Sequence, residues 1–116
     1  MTHQQIAEAF SLGKFHVVFT YLAETVEWVV VGERHLKGKE SVKAYCEQVA
    51  SYFNSVTTDF NVTNVISDKY KIALTGAANF IREGKIINKI SSCDVYEFNP
   101  NSQLTHITSY CISEPF

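Results

Sequence analysis

Apolar residues recur at helical spacing through much of the first half of the chain. Thr2 followed by Gln5 is a capping-box pattern that begins a first short helix, and Gly13 ends that helix. The pattern predicts a second short helix over residues 14–20 and a longer third helix over residues 39–53. One face of the third helix is apolar and comprises Val42, Tyr45, Cys46, Val49, Tyr52 and Phe53.

Five other segments are rich in β-branched and aromatic residues and show the alternation that is typical of strands. The predicted strands span residues 22–31, 57–67, 70–82, 85–98 and 103–113. The stretches REGK and NPNSQ, which separate the last three of these segments, indicate hairpin turns. The element order predicts an α+β fold in one domain, residues 1–116, with three N-terminal helices packed on one face of a curved antiparallel sheet.

Composition argues against several classes of function. The 116 residues have a formal net charge of −2 and no cluster of Lys or Arg, so we expect binding neither to nucleic acid nor to membranes. The N-terminus lacks a signal-peptide pattern, and Cys46, Cys93 and Cys111 have no CxxC spacing, so we expect a cytoplasmic protein with reduced thiols. His16 and His35 have no partners at ligand spacing, which predicts that the protein holds no metal. We also expect no cofactor.

Asp94 is the unusual residue of the strands, because it interrupts an otherwise strand-like run. Strand periodicity places Asp94 and Tyr96 on the same face of the sheet. If the NPNSQ turn pairs Asn99 with Leu104, then Asp94 lies opposite Ser109. The same register predicts the pairs Tyr96 with Ile107 and Ser92 with Cys111 on this face, and Glu97 with His106 on the other.

Three stretches of the sequence resemble one superfamily. They are LAETVEW followed by LKGKESVKAYCEQ, then REGKIINKISSCDVYEF, then NSQLTHITSY. They resemble the nuclear transport factor 2-like (NTF2-like) superfamily, which includes ketosteroid isomerases, SnoaL-type polyketide cyclases, scytalone dehydratase and limonene epoxide hydrolase. The resemblance implies a cone-shaped fold that encloses a pocket for a small apolar or aromatic ligand. It also implies a homodimer formed through the outer sheet face.

The resemblance to ketosteroid isomerases covers one of their three functional groups. Asp94, in the run CDVYEFN, falls where these enzymes place the protonated Asp of the oxyanion hole. Trp28, in the run TVEW, falls where they place the catalytic base, and Ile6 falls near the position of the hole's Tyr. Because Trp cannot accept the substrate proton, the resemblance argues against the standard ketosteroid isomerase reaction. It predicts a pocket that contains one acid.

The inner sheet face is therefore the candidate site, with Asp94 as the catalytic acid. Gly76 and Ala78 are small, and we expect them to leave space for a ligand. The predicted ligand-binding residues are Trp28, Tyr96, Gly76, Ala78, Phe80, Ile107, Ser109 and Cys111.

Three functions compete at this stage. The first is a cofactor-free isomerase, cyclase or lyase that acts on a small apolar or aromatic ligand. The second is a pocket that binds such a ligand without catalysis, and the third is a protein-interaction or dimerisation module. The structural alternative for Asp94 is a carboxylate that merely accepts hydrogen bonds from Ser109, Ser92 or a backbone amide.

Overall fold

The computed structural model describes residues 1–114. The structure has two α-helices, α1 (His3–Ser11) and α2 (Lys39–Ser55), and two single 3-10 turns, Phe15–Val17 and Phe19–Tyr21, that follow α1. The strands are β1 (Leu22–Val30), β2 (Arg34–Lys37), β3 (Thr57–Asp68), β4 (Lys71–Arg82), β5 (Lys85–Phe98) and β6 (Leu104–Ser113).

One curved sheet contains all six strands, in the order β2-β1-β6-β5-β4-β3. Every neighbouring pair is antiparallel except β1 and β6, which run parallel. The predicted α+β fold is confirmed, and the parallel pair makes the sheet mixed. A parallel pair needs a long connection, and here everything from β2 to β5 lies between the two strands in sequence.

Local sequence explains how α1 begins and ends. The Thr2 hydroxyl accepts a hydrogen bond from the Gln5 backbone N–H, while the Gln5 side chain accepts one from the Thr2 N–H, so the predicted capping box is present. Gly13 follows the helix at a φ of +80°, a conformation that favours glycine. A Cβ added there would lie 2.7 Å from the Phe53 ring of α2, so Gly13 also allows the two helices to approach.

The core lies between the helices and the inner sheet face. Tyr96 of β5 is its largest fully buried side chain, and Ile107 of β6 is also buried there. Burying such side chains is the main source of the fold's stability. Among residues 1–114, no helix has the length and apolar character needed to cross a membrane.

The structure differs from the sequence-based prediction at three places. In place of the helix predicted over residues 14–20, Phe15–Val17 and Phe19–Tyr21 form the two 3-10 turns. The segment between Gly13 and Leu22 has room for only about two turns of helix, which is marginal without further support. The edge strand β2 was not predicted, because its four residues are mostly exposed and polar and so show no apolar alternation. Leu104 pairs with Phe98 instead of Asn99, since the β5–β6 ladder shifts by one residue near Thr105.

The outer sheet face carries a cluster of polar side chains that centres on Glu27 of β1. The Glu27 carboxylate contacts His35 Nε2 of β2 at 2.8 Å and His106 Nε2 of β6 at 3.5 Å. Glu97 instead contacts Lys71 Nζ at 3.6 Å. Glu97 and His106 are therefore opposite one another in the ladder, as predicted, but their side chains bind other partners. The carboxylate of Glu27 can contact His106 because β1 lies next to β6, with these two residues opposite one another.

Candidate functional site

A cavity of about 360 Å³ lies between the helices and the inner sheet face. That volume is in the range of small-molecule pockets. Its aromatic lining comprises Phe10, Phe15, Trp28, Tyr45, Tyr52, Phe53 and Phe80. Its polar lining comprises Ser11, Glu33, Asn88, Asp94, Ser109 and Cys111.

Asp94 is the buried acid of this cavity. Its side chain projects from β5 and is only 8% exposed. The Ser11 hydroxyl, at the last residue of α1, donates a hydrogen bond to Asp94 Oδ2 at 2.8 Å. Ser11 Oγ also lies 2.5 Å from the hydroxyl of Tyr96, two residues further along β5. The Asp94 carboxyl group therefore lies in a network of hydroxyl groups where α1 meets β5.

Burial determines the protonation of these two groups. Desolvation raises the pKa of the Asp94 carboxyl above its ordinary value, and hydrogen bonds from Ser109, Ser11 and Tyr96 oppose this rise without cancelling it. Burial, together with the nearby Asp94 carboxyl, raises the pKa of Tyr96 well above its ordinary value, so its hydroxyl keeps its proton. Asp94 thus keeps a proton at higher pH than an exposed Asp does.

Trp28 forms one wall of the cavity and is itself anchored. Its indole Nε1–H donates a hydrogen bond to Ser109 Oγ at 2.9 Å, from β1 to the neighbouring strand β6. Phe10 packs edge-on against the indole, with centroids 4.9 Å apart and planes at 78°. The Tyr45 ring is also close, with its centroid 5.2 Å from that of the indole. Such an aromatic group offers a rigid surface for a flat ligand.

The structure brings together five of the residues predicted for the site. Asp94, Trp28, Phe80, Ser109 and Cys111 all line the cavity. Their roles in chemistry and binding remain predictions. The predicted register is present at this point, with Asp94 opposite Ser109 and the second predicted inner pair, Ser92 with Cys111, beside it.

Three of the other predicted residues occupy different surroundings. Ala78 lines a smaller adjoining cavity of about 100 Å³ that also reaches Asp94. Tyr96 is buried and reaches the site only through its hydroxyl group, and Ile107 is part of the core.

Gly76 lies on the inner face, yet it does not leave space for a ligand. A Cβ added to it would lie 2.4 Å from Cζ of Phe60, so the Phe60 ring of β3 already fills the space above this glycine. The expectation that small residues on β4 open the pocket is therefore wrong at Gly76, because a large side chain on the next strand compensates.

Sequence reasoning missed Ser11, Glu33 and Asn88. Ser11 follows the buried Ala7 by four residues, and this spacing does place it on the inner face of α1. Glu33 belongs to the turn after β1, where no periodic pattern indicates a direction. With Glu33 at its edge, the cavity has a second carboxyl group in addition to Asp94.

The cysteines show no sign of catalytic activation. Cys111 is exposed at the protein surface, but partial burial of its thiol, with the Asp94 and Glu33 charges, raises its pKa to about 11. Cys46 is buried, and desolvation raises its pKa to about 12. Within residues 1–114 no group of three or more His, Cys, Asp or Glu side chains is arranged to hold a metal ion.

A second cavity, of about 320 Å³, lies on the surface between the first 3-10 turn, Phe15–Val17, and α2. It is of comparable size, but its charged lining residues include the exposed pair His16 and Glu47, 3.2 Å apart, and no buried acid. The cavity that contains Asp94 is therefore the candidate site.

Comparison with known proteins identifies similar structures. No protein-family model and no curated protein matches the chain. An NTF2-like protein of unknown function from Cytophaga hutchinsonii ATCC 33406 is 32% identical, and the match covers 95% of this chain and 96% of that one with a TM-score of 0.85.

Two more distant structures have the same fold. A protein of the SnoaL-like family from Agrobacterium tumefaciens C58 is 14% identical over 95% of this chain and 97% of its own, with a TM-score of 0.71. The epoxide hydrolase/cyclase-like enzyme SalBIII, which is linked to pyran ring formation in the polyether salinomycin, is 16% identical over 95% and 90% with a TM-score of 0.71.

Proposed function

Because this chain belongs to the nuclear transport factor 2-like superfamily, we propose that its cavity binds a small apolar or aromatic ligand and that Asp94 acts on an oxygen atom of that ligand as an acid. The observation that supports this most directly is the placement of a desolvated carboxyl group in an aromatic cavity. Without a polar ligand, a carboxyl group in such a place costs free energy that an apolar side chain would not.

Proton transfer is the chemistry that this arrangement supports. A neutral Asp94 can donate its proton to a carbonyl, ether or hydroxyl oxygen as charge develops there. Such donation assists isomerisation, cyclisation or elimination and needs no cofactor. Trp28 cannot serve as a base, but the Glu33 carboxylate at the edge of the cavity can accept a proton. The proposed reaction class is therefore a cofactor-free isomerase, cyclase or lyase.

Binding can be tested with the protein's own fluorescence. Trp28 is the one tryptophan of the sequence and lines the cavity, so its emission reports a ligand there. We expect 2-naphthol to quench this emission in a saturable way, and to bind an Asp94→Asn variant with lower affinity. Asp59→Asn, an exposed carboxylate on β3, is the matched control and should bind as the wild type does.

Turnover is tested separately with enolisable ketones and hydroxy-epoxides of similar size, followed by NMR of the products. Asp94→Asn should abolish the formation of any product while leaving the melting temperature nearly unchanged. Equal turnover by the wild type and this variant would refute the role of Asp94 as an acid. Binding without any product would favour a ligand-binding protein that is not an enzyme.

The outer sheet face supports a second proposal, a homodimer in the cytoplasm. On β6, Tyr110 and Ile112 point outward and are 46% and 66% exposed. Exposed apolar side chains of this kind are typical of interfaces. Sedimentation equilibrium of the wild type should give twice the chain mass of 13.1 kDa, and Ile112→Glu should shift it toward the monomer. A monomeric wild type at high micromolar concentration would refute this proposal.

A further inference from the structure

The hydrogen bonds around Asp94 have a direction that follows from the number of protons available. Each hydroxyl group has one proton to donate. The Tyr96 hydroxyl keeps its proton, and Ser11 and Asp94 are its partners at the site. Because the one proton of Ser11 goes to Asp94, Tyr96 donates either to Ser11 Oγ or directly to the Asp94 carboxyl group. Ser11, in turn, donates to Oδ2 of Asp94.

Oδ2 is therefore an acceptor within the protein. While Ser11 donates to Oδ2, a proton carried by Asp94 belongs on Oδ1, since a proton on Oδ2 would face the proton of Ser11. Oδ1 is the oxygen that the Ser11 hydrogen bond leaves unused. The network from α1 and β5 thus determines which oxygen of Asp94 can donate.

Trp28 determines the direction of Ser109 in the same way. An indole N–H can only donate, so Ser109 Oγ must accept the 2.9 Å hydrogen bond from Nε1. The proton of Ser109 is then available for another group. Ser109 is 4% exposed, lies opposite Asp94 in the β5–β6 ladder and lines the same cavity. Its proton can therefore point to Asp94 or to a ligand in the cavity.

From this geometry we propose that Ser109 is a second hydrogen-bond donor to the oxygen atom of the ligand, beside Asp94, and that Trp28 holds it in this role. The proposal rests on the proposed function, because it concerns the same ligand oxygen. When Asp94 is neutral, the proton of Ser109 is no longer needed by a carboxylate and can turn to the ligand. Two donors from adjacent strands then converge on one oxygen, so the preferred ligand has a carbonyl or phenolic oxygen that accepts two hydrogen bonds.

The test compares two ligands of the same shape, 2-naphthol and 2-methylnaphthalene, by the fluorescence anisotropy of their own ring systems. The readout is the ratio of their affinities, because this ratio isolates the contribution of the oxygen atom. We expect Ser109→Ala to lower the ratio about fivefold, which corresponds to the loss of one neutral hydrogen bond. Ser109→Thr keeps the hydroxyl group and should keep the ratio. Ser91→Ala, on the outer face of β5, is the matched control.

A structural role of Ser109 predicts a different result. If Ser109 served only as the acceptor for Trp28, Ser109→Ala would weaken both ligands equally. Adding Ser109→Ala to a Trp28→Phe background isolates direct donation, since the indole N–H is then absent. We expect the ratio to fall again in that background. In Ser109→Ala alone the indole N–H of Trp28 loses its acceptor, whereas the double variant has no such N–H. The double variant can therefore be tested even if Ser109→Ala alone does not fold.

The outcomes separate this inference from the proposed function. An unchanged ratio in Ser109→Ala, or in the double variant relative to Trp28→Phe, overturns the role of Ser109. If Asp94→Asn lowers the affinity ratio while the Ser109 variants leave it unchanged, the role of Ser109 fails but the proposed function stands. If the wild-type protein binds neither ligand, the proposal of an aromatic ligand fails and the role of Ser109 fails with it.

Discussion

Replacing Gly76 by alanine tests directly how the inner sheet face is filled. Gly76 on β4 lies under the Phe60 ring of β3. A new Cβ would lie 2.4 Å from Cζ of that ring and 3.1 Å from the backbone oxygen of Asn61, whereas ordinary contacts begin near 3.4 Å. The ring would therefore have to move by about 1 Å, and the backbone oxygen would remain too close.

The expected cost follows from known cases of overpacking. An extra methyl group in a filled core typically destabilises a protein by about 1–3 kcal/mol. At about 2.1 cal/mol/K of unfolding entropy per residue, a chain of 116 residues loses about 4 °C of melting temperature for each kcal/mol. Gly76→Ala should therefore lower the melting temperature by roughly 4–12 °C. Ligand affinity should change little, because Gly76 does not line the main cavity.

Urea and thermal unfolding of a double-mutant cycle would measure how much of the destabilisation comes from the clash with the Phe60 ring. Phe60→Leu shortens the ring side chain and removes the clash, so the double variant should be more stable than the sum of the single effects by about 0.5–3 kcal/mol. Ala77→Gly, on the exposed outer side of β4, measures the backbone difference between the two residues. A Gly76→Ala protein as stable as the wild type, or strictly additive effects, would refute the packing argument.

Four further outcomes are expected. Thr2→Ala removes the capping box of α1 and should destabilise the fold by about 1 kcal/mol in urea unfolding; no loss would mean that α1 does not depend on its cap. The folded-state pKa of Asp94 is raised, so its contribution to the free energy of unfolding is complete at low pH and is lost as the pH rises through that pKa. Urea unfolding at a series of pH values should therefore show a smaller loss of stability with rising pH in Asp94→Asn than in the wild type. Parallel curves of unfolding free energy against pH would contradict this. Glu27 has a lowered folded-state pKa, mainly through its hydrogen bond with His35, so its contribution is present above the unfolded pKa and is lost as the pH falls through the folded one; Glu27→Gln should flatten that acid limb. Cys111, with a pKa of about 11, should react with iodoacetamide at pH 8 about 100-fold more slowly than a small free thiol, as mass spectrometry would show, and an equal rate would argue against its desolvation.

Much of the fold and part of the site follow from local patterns. The face of Asp94 is set by strand periodicity, and its position opposite Ser109 follows from the length of the NPNSQ turn. The one-residue shift at Thr105 lies next to the turn and leaves the pairs deeper in the ladder as predicted. Local sequence predicts such features because each depends on neighbours in a single hairpin.

Contacts between distant segments could not be predicted in this way. Ser11 reaches Asp94 across 83 residues of sequence, and its placement depends on how α1 packs over β5. Phe60 fills the space above Gly76 because β3 pairs with β4 in one particular register. Glu33 reaches the cavity from a turn. Each of these depends on packing between elements, for which a single sequence contains no periodic signal.

The parallel pairing of β1 with β6 has a consequence for the order of folding. The Trp28–Ser109 hydrogen bond joins residues 81 positions apart, and closing so large a loop is entropically costly and slow. The β3–β6 meander can form from hairpins alone, whereas β1 can join it only after β6 is in place. Asp94 would therefore lie on an incomplete, solvated surface until that last strand docks. A nascent or partly unfolded chain in which only this meander has formed would therefore have a sheet but no enclosed site.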